Sequence, residues 1–369
     1  MNRTVKPSVL NGTIAIPASK SMAHRSLICA ALSDCPTQII CSTVSQDIEA
    51  TANALCTLGA TIQRTESGFS VTPIRKRNSE AILNCIESGS TLRFLLPIAS
   101  ALGQTAHFVG QGRLPQRPIQ PLVDNLTAHG VTFSADRLPF TVSGQLHGGD
   151  FALNGDVSSQ FFSGLLFALP LLDEKSTVSF QTPAQSLPYV QMTLQVLSAF
   201  GIDLAFDGTT ADILPACRYR SPERYTVEGD WSNAAFFLCS AAIDGQITAT
   251  GLSTNSPQGD RKLSDILQSF GANVTTDDGS ITVQSNDHKP LAVNCSDNPD
   301  LVPMLAVMSC FACGTSRFYQ AERLRMKESD RLQATVELIR ALGGQAEANG
   351  STLFVHGNGK LCGGTADGK

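Results

Sequence analysis

Five times along the chain an apolar residue is followed four positions later by a glycine that ends a segment of helical apolar spacing: Leu55/Gly59, Leu126/Gly130, Leu197/Gly201, Leu267/Gly271 and Ile339/Gly343. The glycines stand 71, 71, 70 and 72 residues apart, a regularity that marks one structural unit used repeatedly. After each of the first four comes a short β-branched or alternating run: Ala60-Thr61-Ile62, Val131-Thr132-Phe133, Ile202-Asp203-Leu204 and Ala272-Asn273-Val274. The pattern predicts helix, glycine C-cap in left-handed backbone, then strand. A period of about 70 residues is too long for ankyrin, TPR or leucine-rich repeats and leaves room for several strands and two helices per module. One further interval would put a sixth glycine near ~414, past Lys369, so the last module is expected to be unfinished.

With 369 residues, 42% of them hydrophobic and 16% charged, the chain is long enough for two domains or a little more, each with its own core. A net charge of −5 speaks against nucleic-acid or anionic-membrane partners, so any anion site must be local. The first residues lack an apolar signal-peptide core, and the longest apolar run, Phe161 to Leu172, is too short to span a bilayer and reads as a buried helix. Eleven cysteines without a disulfide-scaffold spacing suit reduced thiols and a cytoplasmic location. Cys310 and Cys313 form a Cys-x-x-Cys; with no second pair and no nearby histidine ligand, two small apolar residues explain it better than a redox or zinc site. Gly363-Gly364-Thr365-Ala366-Asp367-Gly368-Lys369 starts like a phosphate loop but lacks the following hydroxyl residue and helix, and reads as a glycine-rich loop.

Because charges are sparse, five clusters stand out. Ser19-Lys20-Ser21 with Arg25 opens a helix whose free amides and cations suit an anion, though a capped surface helix with snorkelling cations reads the same way. Glu87-Ser88-Gly89-Ser90-Thr91-Leu92-Arg93 opens another helix, with a glycine that lets backbone approach a ligand. Gly110 to Pro118 carries Arg113 and Arg117 on a loop stiffened by prolines. Gly155-Asp156-Val157-Ser158-Ser159-Gln160 offers three neutral donors, or simple serine capping. Arg323 to Arg331 holds six charges in nine positions, with Lys327 and Arg331 at helix-neighbour spacing. Asp300, in Asn298-Pro299-Asp300 ahead of an apolar helix, adds a carboxylate; with Glu328 it suggests proton transfer on an anionic substrate rather than a merely solvated helix start.

Taken together, Ser19-Lys20-Ser21 with Arg25, Asp47, Gly89 with Arg93, Arg113 and Arg117, Ser158-Ser159-Gln160, Ser186-Leu187-Pro188-Tyr189, Val227-Glu228-Gly229-Asp230, Asp300 and Lys327-Glu328-Ser329-Asp330-Arg331 resemble, in order and over almost the whole chain, the 5-enolpyruvylshikimate-3-phosphate synthases. The resemblance implies an α/β (α+β) fold of two globular domains built from βαβαββ units, about three per domain, here with the sixth unit incomplete. It implies a shikimate 3-phosphate-binding lobe over residues 19–227. The second, discontinuous lobe comprises 1–18 and 228–369 and carries Asp300 and Glu328, with substrates held in the cleft between. The implied reaction is transfer of the enolpyruvyl group of phosphoenolpyruvate to shikimate 3-phosphate through a tetrahedral ketal, without metal or redox cofactor, in a monomer. By the same resemblance Ser158, Ser159 and Ser186 hold the 3-phosphate, Ser21 and Arg25 the carboxylate, and Lys20, Gln160, Asp300 and Lys327 also contact shikimate 3-phosphate. Lys20, Gly89, Arg113, Gln160 and Arg331 hold phosphoenolpyruvate. Glu328 transfers the proton at C3, Asp300 binds and deprotonates the 5-hydroxyl, and Lys327 and Lys20 stabilise charge.

The chain departs from this pattern in places. Glu87 stands where members often carry asparagine, and Arg323 where some have asparagine or histidine. The family's arginine in an Asp-His-Arg stretch and a later lysine have no counterpart, which leads to the expectation of a truncated chain, able to bind shikimate 3-phosphate but turning over poorly. Two other readings share the scaffold. A transferase acting on UDP-N-acetylglucosamine would carry a cysteine in the arginine loop, and Gly112 to Pro118 has none. A catalytically weak binding protein is opposed by Lys20, Asp300, Glu328 and Arg331.

Overall fold

All five repeat glycines have left-handed backbone, with φ of 118° at Gly59, 98° at Gly130, 76° at Gly201, 115° at Gly271 and 82° at Gly343. They follow the helices Gln46–Leu58, Gln120–Ala128, Leu187–Ala199, Leu263–Phe270 and Arg331–Ala341. At the first, Ser45 caps the start by accepting from the Ile48 amide, Asp47 and Glu49 complement the helix dipole, and the Gly59 and Ala60 amides donate to the Cys56 and Leu55 carbonyls to close the end. This computed structural model describes residues 4–366 apart from 77, 79, 156, 157, 216 and 278. The Asp156-Val157 part of the fourth cluster and the last three residues of the glycine-rich end lie outside the described residues.

The described residues form ten α-helices and five four-stranded sheets. Every sheet has the same order: a first strand parallel to a second, then a hairpin whose two strands continue antiparallel. In Glu80–Asn84, Thr105–Val109, Phe140–Gly144 and Val131–Phe133, the helix Gly89–Ala101 forms the crossover between the parallel pair, and Gln120–Ala128 leads into the hairpin. Asp150–Leu153, Ser176–Phe180, Thr210–Ile213 and Ala205–Phe206 repeat that plan, as do Ala292–Asn294, Cys313–Tyr319, Thr352–Asn358 and Gln345–Asn349. The strands predicted after Gly59, Gly130 and Gly271 are present, but Ile202-Asp203-Leu204 is not strand; the strand of that module is the two residues that follow, Ala205–Phe206. Three sheets lie in the unit Ala18–Val227 and two in the unit formed by Met1–Pro17 and Glu228–Lys369. A sixth sheet is not among the described residues.

Two sheets borrow their first strand. Leu10–Ala15 runs parallel to Gly245–Thr250, while Arg224–Thr226 runs parallel to Thr37–Ile40. In these two modules the first strand does not lead into the helix that crosses its own sheet. Leu10–Ala15 leads into Lys20–Leu32 of the other unit, and Arg224–Thr226 leads into Trp231–Ile243. The chain therefore passes from one unit to the other at Pro17–Ala18 and back at Val227–Glu228. Each unit has its own apolar core, one around Leu27, Phe94, Phe162 and Val178, the other around Trp231, Leu267, Leu305 and Phe318.

The apolar run after Phe161 is a buried helix, Ser159–Ala168, tightened into the 3₁₀ turn Leu169–Leu171 where Pro170 lacks an amide hydrogen. Cys310 is buried beyond a helix end and Cys313 opens a strand on the surface; among the described residues no group of three His, Cys, Asp or Glu side chains could hold a metal. Lys327 and Arg331 are not helix neighbours. The helix starts only at Arg331, because Asp330 caps it by accepting from the Gln333 amide, and Lys327 ends a separate 3₁₀ turn.

A β-carbon at Gly59 would lie 2.3 Å from the Lys76 carbonyl, whereas one at Gly208, also left-handed at φ 97° and in the same unit, would meet nothing within 4 Å. Gly208→Ala should lose only the backbone strain, about 1–3 kcal/mol, and Gly59→Ala clearly more. Urea unfolding of both variants checks this, and equal losses would show that the carbonyl contact is not felt.

Candidate active site

In the unit Ala18–Val227 the helix Lys20–Leu32 begins at Ser19, whose hydroxyl is buried and makes no cap bond, so the first-turn amides are not satisfied by it. Lys20 Nζ pairs with Asp47 Oδ2 at 2.8 Å. Arg25 is only 2% exposed and works as a strut: Nε donates to Thr193 Oγ1 at 2.8 Å, one terminal nitrogen to the Ser21 carbonyl at 2.8 Å and the other to the Tyr189 carbonyl at 2.9 Å. Its guanidinium also lies 5.1 Å from the Phe94 ring centroid. Burial pulls its pKa down to about 10, so it stays charged at neutral pH.

Beside it, three clusters far apart in sequence converge. Ser88 caps the helix Gly89–Ala101, accepting from the Thr91 amide. Arg93 donates to Gln160 Oε1 at 2.7 Å and to the Pro118 carbonyl at 3.0 Å, and Gln160 Nε2 donates to Ser90 at 2.9 Å. A β-carbon at Gly89 would stand 2.8 Å from an Arg93 nitrogen and 2.9 Å from one of Arg117. Arg113 and Arg117 flank the 3₁₀ turn Leu114–Gln116; the half-buried Arg117 reaches Gly89, while Arg113 is exposed and its amide donates to Glu87 Oε1 at 3.3 Å. Just ahead, Ile86 is held at φ 50°, a strained value for a β-branched residue.

The predicted serines sit at the starts of two packed helices. Ser158 caps Ser159–Ala168, accepting from the Gln160 amide at 3.3 Å, and Ser186, left-handed at φ 60°, precedes Leu187–Ala199. The Gln185 amide donates to the Gly155 carbonyl, which draws the two segments together. Amides and hydroxyls at paired helix N-termini favour an anion.

The other unit carries the carboxylates. Arg331 donates to Asp300 Oδ1 at 2.7 Å with one terminal nitrogen and to Glu328 Oε2 at 2.8 Å with the other. Lys327 Nζ lies 3.4 Å from Asp300 Oδ1. Burial by itself would lower the pKa of Arg331, but the charges of Asp300 and Glu328 outweigh it and raise it. All the predicted residues of this unit thus meet in one cluster. Sequence reasoning left out Thr193 and Asp260, and counted Tyr189, Arg93 and Arg117 as matching positions without giving them a contact. Tyr189 acts through its backbone carbonyl, which leaves no mark in the sequence, Thr193 acts through a hydroxyl within a buried helix face, and Asp260, followed directly by Arg261 and Lys262, reads as part of a solvated charged turn.

A profile of the EPSP synthase family, 3-phosphoshikimate 1-carboxyvinyltransferase, matches residues 5–367. Curated relatives of that name include a protein of Brachyspira hyodysenteriae, 39% identical over 369 residues covering 99% of this chain and 87% of that protein. One of Clostridium kluyveri is 37% identical over 368 residues, covering 98% and 85%. Among solved structures, an EPSP synthase from Acinetobacter baumannii aligns with a TM-score of 0.79 at 23% identity over 96% of this chain and 83% of that one. The enolpyruvyl transferase NikO from Streptomyces tendae aligns at 0.74 and 17% identity, over 95% and 82%. The two solved structures share the fold.

A buried chain of side chains ties the Lys20 helix to Gly89: His24 Nδ1 to Thr51, Thr51 to Thr91, and Thr91 to Ser88, each at 2.7 Å. Burial, then the charges of Lys20 and Arg25, depress the pKa of His24 to about 3. The unfolded chain takes up this proton below about 6.5 and the folded one does not, so the contribution is whole above that pH. It is lost as pH falls toward 3, at about 1.4 kcal/mol per pH unit. Unfolding free energies between pH 7 and 5 should fall less steeply for His24→Asn than for the wild type; parallel slopes would refute the neutral buried imidazole.

Proposed function

The chain belongs to the EPSP synthase (3-phosphoshikimate 1-carboxyvinyltransferase) family, and from that premise we propose how its own side chains carry out the transfer. The reaction moves the enolpyruvyl group of phosphoenolpyruvate to the 5-hydroxyl of shikimate 3-phosphate and releases phosphate, a step of the shikimate pathway. Both substrates are polyanions that repel each other in water, so cations and amides must offset their charge before any bond forms.

In our reading the acceptor phosphate is held by Ser158, Ser159 and Ser186, with Gln160 and Lys20 beside them. Its carboxylate meets Ser21 and Arg25; three of the five N–H donors of Arg25 are committed within the protein, which aims the guanidinium. Phosphoenolpyruvate is held by Lys20, Gln160, Arg113 and the Gly89 backbone, where Arg93 and Arg117 add charge, and by Arg331. The 5-hydroxyl attacks C2 while Asp300 takes its proton and Glu328 delivers one to C3. The ketal then collapses: C3 loses a proton to Glu328 and phosphate leaves, with Lys327 and Lys20 stabilising the charge.

The single observation that carries this reading is that one guanidinium, Arg331, holds Asp300 and Glu328 at 2.7 and 2.8 Å, with Lys327 on Asp300. Two carboxyl groups held side by side on one guanidinium, next to an ammonium group, put a proton acceptor for the 5-hydroxyl and a proton donor for C3 in one place, as the double proton transfer requires. In this reading residues 19–227 form the shikimate 3-phosphate-binding lobe, and 1–18 with 228–369 form the second lobe, which carries Asp300 and Glu328. We place the enzyme in the cytoplasm, which its eleven free cysteines support, and infer a monomer from the family resemblance; no described helix is long and apolar enough to cross a membrane.

Phosphate release measured with shikimate 3-phosphate and with UDP-N-acetylglucosamine as acceptors tests the assignment; turnover with the nucleotide sugar alone would reverse it. Glu328→Gln should bind shikimate 3-phosphate normally by calorimetry yet lose on the order of 10²–10⁴ in kcat. Near-normal turnover would take Glu328 out of the chemistry. Gly89→Ala, whose methyl would press on Arg93 and Arg117, should raise KM for phosphoenolpyruvate more than for the acceptor.

A further inference from the structure

We propose that Asp260 is a positioning residue for Asp300 and Lys327, a carboxyl that serves the reaction in its protonated form and disturbs that pair once ionised. This rests on the roles given above to Asp300 and Lys327.

Asp260 lies on the 3₁₀ turn Gly259–Lys262 and is 5% exposed. Its Oδ2 accepts from the Ser232 hydroxyl, at the start of the helix Trp231–Ile243, and its Oδ1 has no hydrogen-bond partner among the described residues. The charged groups that act on it come from three surrounding segments: Asp230 at that helix's cap, Asp300 on the turn Pro299–Leu301, and Lys327. The cations on its own turn are engaged elsewhere, Arg261 with the Thr254 carbonyl and Lys262 with Asp297 at 3.6 Å. Glu228, at the foot of the same helix, accepts from Ser256 and Gln258. The turns that carry Asp260 and Asp300 both pack on the helix Trp231–Ile243, and the turn of Asp300 packs in turn on Glu322–Met326, which Lys327 ends. The buried carboxyl thus shares a poorly screened region with two other carboxylates and one ammonium group.

Burial first, then Asp300 and Asp230, lift its pKa to about 7, against the Ser232 hydrogen bond and Lys327. Below that pH it is neutral. Lys327 then stays with Asp300, and the anionic acceptor meets no extra negative charge. Above it, the ionised carboxylate competes for Lys327 and repels both Asp300 and the acceptor.

The test is kcat/KM for shikimate 3-phosphate from pH 6 to 9, which reports groups of the free enzyme, in the wild type, Asp260→Asn, Ser232→Ala and Asp300→Asn. Wild type should fall several-fold above pH 7. Asp260→Asn should lack that fall, and Ser232→Ala should shift it to higher pH by removing a hydrogen bond that favours the ionised form. A fall unchanged in Asp260→Asn, with Asp300→Asn inactive throughout, overturns this proposal and leaves the mechanism standing. Near-normal turnover by Asp300→Asn overturns the mechanism, and this proposal with it. If Asp260→Asn does not fold, a limb that stays in place in Ser232→Ala overturns the proposal.

Discussion

Like charges close together separate unless something of opposite sign is fixed between them, and here that is the guanidinium of Arg331. It sits at the first position of a helix, where the dipole alone disfavours a cation, and is kept there by Asp300 and Glu328. In return it lets two carboxylates from distant segments share one place without repelling. The flat fork of an arginine does this with two directed bonds; a lysine would offer a single point of charge. The neighbouring helix cap reinforces the arrangement, since Asp330 is occupied by the Gln333 amide and by Arg325 at 2.9 Å and does not compete for Arg331.

The same economy governs the other unit. An acidic chain gathers its few cations where helix starts already present free amides, and it spends several of their donors on its own backbone. Arg25 braces Ser21 and Tyr189, and Arg93 braces Gln160 and Pro118. A guanidinium committed in this way is stiff, and a stiff cation loses little freedom when an anion arrives.

Much of this could be read from the residues. The glycine period reflects a local requirement, left-handed backbone after a helix, and such requirements leave a mark in sequence. The clusters at Lys20, Gly89, Ser158 and Arg331 were visible because charge is sparse, at 16% of the residues, and most of them set it beside glycine or serine. Contacts that depend on tertiary approach left no comparable mark. That Arg117 abuts Gly89 depends on how the 3₁₀ turn Leu114–Gln116 aims it, and Lys327 meets Arg331 through Asp300 because Asp330 starts the helix later than the charge spacing suggested. Thr193 and Thr51 contribute one hydroxyl each inside apolar helices and look like any other core threonine.

The exchange of first strands has a bearing on how the chain is made. Leu10–Ala15 finds its partner, Gly245–Thr250, only across more than two hundred intervening residues. That stretch has a core of its own, so on the ribosome it would mature while the leading strand waits, unpaired and extended, for its sheet to be synthesised. Closure of the discontinuous unit is therefore the late, non-local event in folding, and the waiting edge is where misassembly between nascent chains would start.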